Sequence, residues 1–243
     1  LVAEKTGDVA LALREFAKVD GGYEYLSAQG RIVELMSVNQ SLEDARAYLA
    51  KKKQVHNGLR SQFDLIEGQL LSRVNAEAAL FEHLDQAIEA QQGDIPLLYF
   101  RAMSGQKYER LDILERDLKQ VLTLDPDNAD AMNALGYTLA DQTDRYDEAY
   151  ALIEKALALK PEEPAFIDSM GWVLYRLNRF EEAIDYLEQA LERFPNDEVA
   201  AHLGEVLWQS GKTRRAKRVW KEALSETPNS TFLQSVLKRF LGS

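Results

Sequence analysis

Three consecutive segments, Ala129–Pro161, Pro164–Pro195 and Asp197–Pro228, carry one pattern three times, and this repetition constrains the fold more than any other property of the chain. Gly136, Gly171 and Gly204 stand 35 and 33 residues apart; Ala149, Ala183 and Ala216 stand 34 and 33 apart, as do Pro161, Pro195 and Pro228. A helical period near 34 residues specifies one supersecondary unit copied and stacked on itself. Each glycine leaves room for a close helix crossing. It costs about 1 kcal/mol against alanine inside a helix, so three at one register require a packing reason. Ala149 and Ala156, Ala183 and Ala190, and Ala216 and Ala223 are seven residues apart, two helical turns on one face. Between them lie the knobs Ile153, Leu187 and Trp220. Each closing proline ends a second helix, because it lacks an amide proton and clashes with the turn before it.

These residues resemble the tetratricopeptide-repeat family strongly over Ala129–Pro228, and weaker copies extend upstream. Ile95–Asn128 has the length and a closing Pro126, with Ala102 in place of the glycine and Leu114 in place of the first alanine. Ser61–Gly93 keeps Gly68 and Ala87, and Tyr23–Lys53 keeps Gly30 and Ala45 with about three extra residues expected in its turn. Gly7, Asp8 and Val9, followed by Ala12, Phe16 and Val19, read as the second helix of a further unit. Because Leu1 opens that unit without its first helix, the chain reads as a piece of a longer array. Ser230 is an expected N-cap of a closing helix with Phe232, Leu233, Val236, Leu237, Phe240 and Leu241 on one side and Gln234, Ser235, Lys238 and Arg239 on the other. Such a helix hides the last apolar face. The expected architecture is all-α, a right-handed tetratricopeptide-repeat superhelix: degenerate hairpins over 1–128, three well-matched units over 129–228, and a capping helix over 229–243. An unrelated helical domain in the N-terminal third is the competing reading.

Composition agrees. Hydrophobic residues make up 46% of the chain and the six prolines fall mostly at helix boundaries. About fourteen helices follow from two per unit. No run of eighteen apolar residues is present, so no membrane span is expected. Zero cysteines exclude disulfides, thiolate metal sites and cysteine catalysis within these residues, and fit an exported or a cytosolic protein equally. The net charge of −11 argues against nucleic acid as a partner. Lys212, Arg214, Arg215, Lys217, Arg218 and Lys221 form a local basic patch, either a solvated outer face or a docking site for an acidic partner or anionic headgroups. Asp125, Asp127, Asp130, Asp141, Asp144 and Asp147 gather at turns, where capping accounts for several of them.

Catalytic candidates are few. His56, His83 and His202 lie in different repeats with no metal-ligand spacing, and no nucleophile elbow, phosphate loop or dinucleotide fingerprint occurs. The chain therefore reads as a non-enzyme without cofactor or metal. The family resemblance implies a concave face lined by the first helix of each unit. Carried over by position, that face comprises Asn133 and Tyr137; Asp168, Trp172, Tyr175 and Arg176; His202, Glu205 and Trp208; with Tyr99, Met103 and Lys107 upstream. Aromatic faces beside polar groups suit a polypeptide ligand. The alternative is that Trp172, Tyr175 and Trp208 fill gaps between repeats. The Lys/Asn pattern of carboxylate-clamp domains is absent from this lining.

The strings Asn133–Ala140, Arg145–Ala149 and Asp168–Trp172 are similar to the C-terminal part of the large proteobacterial outer-membrane lipoproteins of the LbcA type, partners of a periplasmic carboxyl-terminal processing protease. The resemblance implies an adaptor that brings cell-wall hydrolases to that protease. It also implies a periplasmic location through a lipidated N-terminus outside this sequence, with a cytoplasmic location as the alternative. A structural subunit of a secretion, pilus or envelope-assembly complex, and a module appended to a glycan-processing enzyme, are the rival readings.

Overall fold

The computed structural model describes residues 8–242, so Gly7 lies outside the described residues. The chain divides into two compact units, with the break between Leu124 and Asp125. Among the described residues there are fourteen α-helices, one 3-10 turn and no strand. Unit 1 contains α1 (Val9–Ala17), α2 (Tyr25–Asn39), α3 (Leu42–Val55), the 3-10 turn Asn57–Leu59, α4 (Arg60–Arg73), α5 (Glu77–Ala90), α6 (Ile95–Lys107) and α7 (Leu111–Leu124). Unit 2 contains α8 (Ala129–Gln142), α9 (Tyr146–Leu159), α10 (Pro164–Arg176), α11 (Phe180–Arg193), α12 (Asp197–Gln209), α13 (Thr213–Glu226) and α14 (Thr231–Leu241).

The three expected crossings exist. A Cβ on Gly136 would stand 2.7 Å from Ile153 Cγ1, one on Gly171 2.5 Å from Leu187 Cγ, and one on Gly204 1.9 Å from Trp220 Nε1. The same three knobs meet the same three glycines, so the hairpins are built alike. Ala149, Ala156, Ala183, Ala190 and Ala216 are fully buried beside them. In unit 1 the pattern loosens. Gly68 does sit in a crossing, its Cβ position 2.7 Å from Phe100 Cε1 and 3.4 Å from Leu84 Cδ2. Gly30 does not: nothing lies within 4 Å of its Cβ position. The expected long turn after α2 is also absent, because the surplus residues lengthen the helix to 15 residues. Close approach in the α6–α7 hairpin comes from Gly105, whose Cβ position lies 3.0 Å from Arg110 O, rather than from Ala102 alone.

Tight turns join the paired helices. Asn75, Glu109, Asn178 and Gly211 each take a positive φ, and the next amide reaches back to the helix, as in Arg179 N to Leu174 O at 2.9 Å and Lys212 N to Leu207 O at 2.8 Å. Asp8, Ser41, Asp94, Asn128, Asn196 and Ser230 cap α1, α3, α6, α8, α12 and α14 through side-chain oxygens. At α8 the capping group is therefore Asn128. Asp125 instead accepts from the Asn128 amide at 2.9 Å, and Asp130 pairs with Lys160 at 2.8 Å, which corrects the expectation that the aspartates themselves cap.

Within unit 2 the first helices α8, α10 and α12 pack on one another in sequence, and α14 continues the row on α12. The second helices α9, α11 and α13 pack on the first helices before and after them rather than on each other. One face of the unit is thus a continuous row of first helices, and on the other face the second helices are splayed. At its end Leu233 is fully buried, while Phe232 and Leu241 remain 48% and 38% exposed, so the apolar side of α14 is narrower than its sequence suggests. Trp208, Trp220 and Phe240 pack ring on ring with centroids 5.7–5.9 Å apart.

Candidate protein-binding face

On the row of first helices, polar and aromatic side chains meet across repeats. His202 Nδ1 of α12 pairs with both carboxylate oxygens of Asp168 of α10 at 3.0 Å. The His202 ring stacks on Trp172 with centroids 4.3 Å apart, and its Nε2 lies 3.5 Å from the Tyr137 hydroxyl of α8. Tyr175 donates to Glu205 Oε1 at 3.1 Å, and Glu205 also pairs with Arg239 of α14. Arg176 donates to the Asp141 carbonyl at 3.1 Å and the Tyr146 hydroxyl at 2.7 Å. The result is a ladder of contacts linking α8 to α14.

The charges in this ladder are coupled. Burial pushes the His202 imidazole down, but the Asp168 carboxylate, with Glu198 and Glu205, outweighs burial and raises it. Burial raises Glu198, His202 opposes this, and Asp168, Asp197 and Asp141 add to the rise. Burial, then Asp141, Glu198 and Asp168, raises the Tyr137 phenol. Tyr175 is pushed up to about 12 by burial and then by Glu205.

Asp168, Trp172, His202 and Glu205, expected to face an open groove, are buried between neighbouring repeats: His202 packs against Asp168 and Trp172, and Glu205 is held by Tyr175 and Arg239. Asn133, Tyr137, Tyr175, Arg176 and Trp208 are half-buried and form the accessible part of the row. Two polar atoms in the row lack partners: the buried indole N–H of Trp172 and the Oδ1 of Asn133. Tyr99, Met103 and Lys107 belong to unit 1; the first two are half-buried, and Lys107 Nζ donates to the Ser72 carbonyl at 2.6 Å.

Half of the basic patch around α13 is engaged. Lys212 pairs with Glu181 at 2.6 Å, Arg215 pairs with Glu188, and Lys217 lies 5.6 Å over the Trp208 ring. Arg214, Arg218 and Lys221 are exposed. The preceding second helix, α11, thus supplies counter-charges to Lys212 and Arg215, and the patch reads as a solvated, partly salt-bridged outer face.

Three potential metal ligands also converge in unit 1: Asp64, Glu67 and His83, with ligand atoms within 4.8 Å of one another. Lys53 already bridges the two carboxylates, Arg46 bonds Glu67 at 2.7 Å and Gln91 bonds Asp64 at 2.8 Å. The Lys53 ammonium fills the position a cation would take. Burial pushes Glu67 up, but His83, Lys53 and Arg46 together hold it below the usual carboxylate range.

Sequence reasoning missed Asp141, Tyr146, Glu198 and Arg239. A usable signal was present: Asp168 and His202, and likewise Glu205 and Arg239, are complementary residues 34 apart.

Comparison with known proteins agrees with this construction. Tetratricopeptide-repeat family patterns match residues 115–164, 142–206 and 174–239. The TPR repeat-containing protein PA4667 of Pseudomonas aeruginosa is 42% identical over 204 residues, covering 84% of this chain and 35% of its own length. The chain thus spans about a third of that relative. Among solved structures, the type IV pilus biogenesis factor PilW matches with a TM-score of 0.67 at 14% identity, over 89% of this chain and all of its own. The tetratricopeptide-repeat protein TTC0263 of Thermus thermophilus matches with a TM-score of 0.62 at 22% identity, over 72% of this chain and 98% of its own. Both structures share the fold. With the repeat crossings, the matched patterns and the Pseudomonas relative in agreement, the chain belongs to the tetratricopeptide-repeat proteins.

Proposed function

We propose that this chain is a non-catalytic scaffold that binds a polypeptide on the first-helix face of unit 2. The supporting observation is the accessible row of half-buried side chains there, Asn133, Tyr137, Tyr175, Arg176 and Trp208. Tyr137, Tyr175 and Trp208 supply aromatic area beside polar groups, the combination that suits a polypeptide. The finer reading is an adaptor at the outer membrane, anchored through a region outside this sequence, that brings a periplasmic carboxyl-terminal processing protease together with cell-wall hydrolases. The strings Asn133–Ala140 and Asp168–Trp172 support it by resemblance. Such an adaptor works by effective concentration: two partners held on one scaffold meet as an intramolecular pair.

The test is a reconstitution with a purified carboxyl-terminal processing protease and a cell-wall hydrolase. The chain is expected to accelerate hydrolase degradation. Tyr175→Ala, which removes a half-buried ring of this face, is expected to weaken capture about tenfold at unchanged helicity. Degradation indifferent to the chain removes the adaptor reading; capture indifferent to Tyr175→Ala removes the face assignment.

A further inference from the structure

Because the second helices of unit 2 are splayed, each gap between them needs a filler. Between α9 and α11 that filler is Tyr186, packed with Leu157 against Ile167, Ala190 and Val199. One period later the residues are smaller. Val219 stands 33 residues after Tyr186, and Ala200 stands 33 after Ile167. The gap between α11 and α13 is accordingly open, a groove of about 430 Å³ that runs into a second hollow of about 300 Å³. Leu191 and Val219 line both parts, Ala200 and Ala223 the first, and Leu203 the second. Pro195 lines the larger part, and the residue before it, Phe194, is 57% exposed.

The charges around the larger part of this groove are one-sided: Asp197, Glu222 and Glu226 border it without a basic residue. The smaller part is mixed, lined by Glu188, Glu192 and Glu222 with Arg215 and Arg218, and Arg215 is already paired with Glu188. An apolar slot one aromatic ring short of its neighbour, with carboxylates around its larger part, selects its occupant by shape and by charge.

We propose that the α11–α13 groove docks a partner polypeptide segment carrying an aromatic residue flanked by Lys or Arg. The aromatic ring takes the place that Tyr186 holds in the preceding repeat, and the flanking cations meet Glu222 and Glu226. This groove opens between second helices, and Asp197, Ala200 and Leu203 of α12 also line it; its lining shares no residue with the first-helix face described above, so the chain has two sites for polypeptide segments.

The probe is a fluorescein-labelled, alanine-based helical peptide with one tyrosine flanked by lysines, compared with its glutamate-flanked twin in anisotropy titrations against the whole chain. The lysine peptide is expected to bind about tenfold more tightly than its twin, with a preference that shrinks as salt rises. Ala200→Ile with Val219→Tyr, which fills the groove as the preceding repeat does, is expected to lose at least about tenfold in affinity. Glu222→Lys with Glu226→Lys, both on the exposed rim, is expected to reverse the preference between the twins; this arm stands even if the filled variant fails to fold. Tyr175→Ala, outside the groove lining, is expected to leave this binding unchanged, so failure here and failure of the first-helix face are told apart. Absence of binding, equal binding by a folded groove-filled variant, or no reversal by the rim variant overturns the proposal. Self-association in sedimentation that the filled variant abolishes also overturns it, by assigning the groove to a second copy of the chain.

Discussion

Gly171 shows how single residues set this fold. Its Cβ position lies 2.5 Å from Leu187 Cγ and 3.2 Å from the Ala183 carbonyl oxygen, so even one methyl group has nowhere to go. Gly171→Ala gains about 1 kcal/mol of helix propensity but overpacks the crossing at about 1–3 kcal/mol. The expected net result is destabilisation in chemical denaturation. Gly30→Ala is the matched control: it sits in α2 with open space around it and should stabilise by about 0.5–1 kcal/mol. Equal effects at the two sites would show that Gly171 does not serve the crossing. The ladder on the first helices follows the same economy, since Asp168 and Glu205 each find their counter-charge one period later.

At the scale of elements, the hairpins differ mainly in their turns. The α10–α11 and α12–α13 turns close through Asn178 and Gly211 at positive φ. The α8–α9 turn also has three residues but closes through Thr143, whose N is bonded to Leu139 O at 3.2 Å and whose hydroxyl donates to the same oxygen at 2.6 Å. Gly136 and Gly171 are 35 apart while Gly171 and Gly204 are 33 apart because α8 is one residue longer than α10 and the α9–α10 connection one residue longer than the α11–α12 connection. The terminal helix α14 has a different task, closing the row over Trp208 and Trp220. Leu233, its fully buried anchor, should cost about 2–4 kcal/mol when replaced by alanine. The measurement is thermal unfolding followed by tryptophan emission, with a red shift as the Trp208–Trp220–Phe240 stack loosens.

For the whole molecule, the two units should respond to pH with opposite signs. Glu67 in unit 1 is held below its ordinary value. Its contribution is therefore present above the unfolded carboxylate range and is lost as pH falls through the folded value. His202 in unit 2 is held above its ordinary 6.5, so its contribution is full below that pH and is lost as pH rises through the folded value. All three tryptophans, Trp172, Trp208 and Trp220, lie in unit 2, so their emission reports that unit alone while circular dichroism reports both. On acidification, circular dichroism should lose cooperativity before tryptophan emission changes. Glu67→Gln should remove the acid sensitivity and His202→Gln the alkaline one.

The sequence alone determined the hairpins of unit 2, their crossings and the closing helix. Glycine, alanine and proline at fixed offsets act within a few helical turns, where backbone geometry leaves little choice. Gly30 and the surplus residues of α2 misled because a residue type at the right offset says nothing about the side chain that must meet it. Tertiary structure decided which aromatics are buried, how the α13 cations are neutralised, and where the second helices leave a gap. Those outcomes depend on side-chain volumes and charges that converge from neighbouring repeats, such as Tyr186 with Leu157 or Val219 with Leu191, and their fit exists only once the helices are stacked.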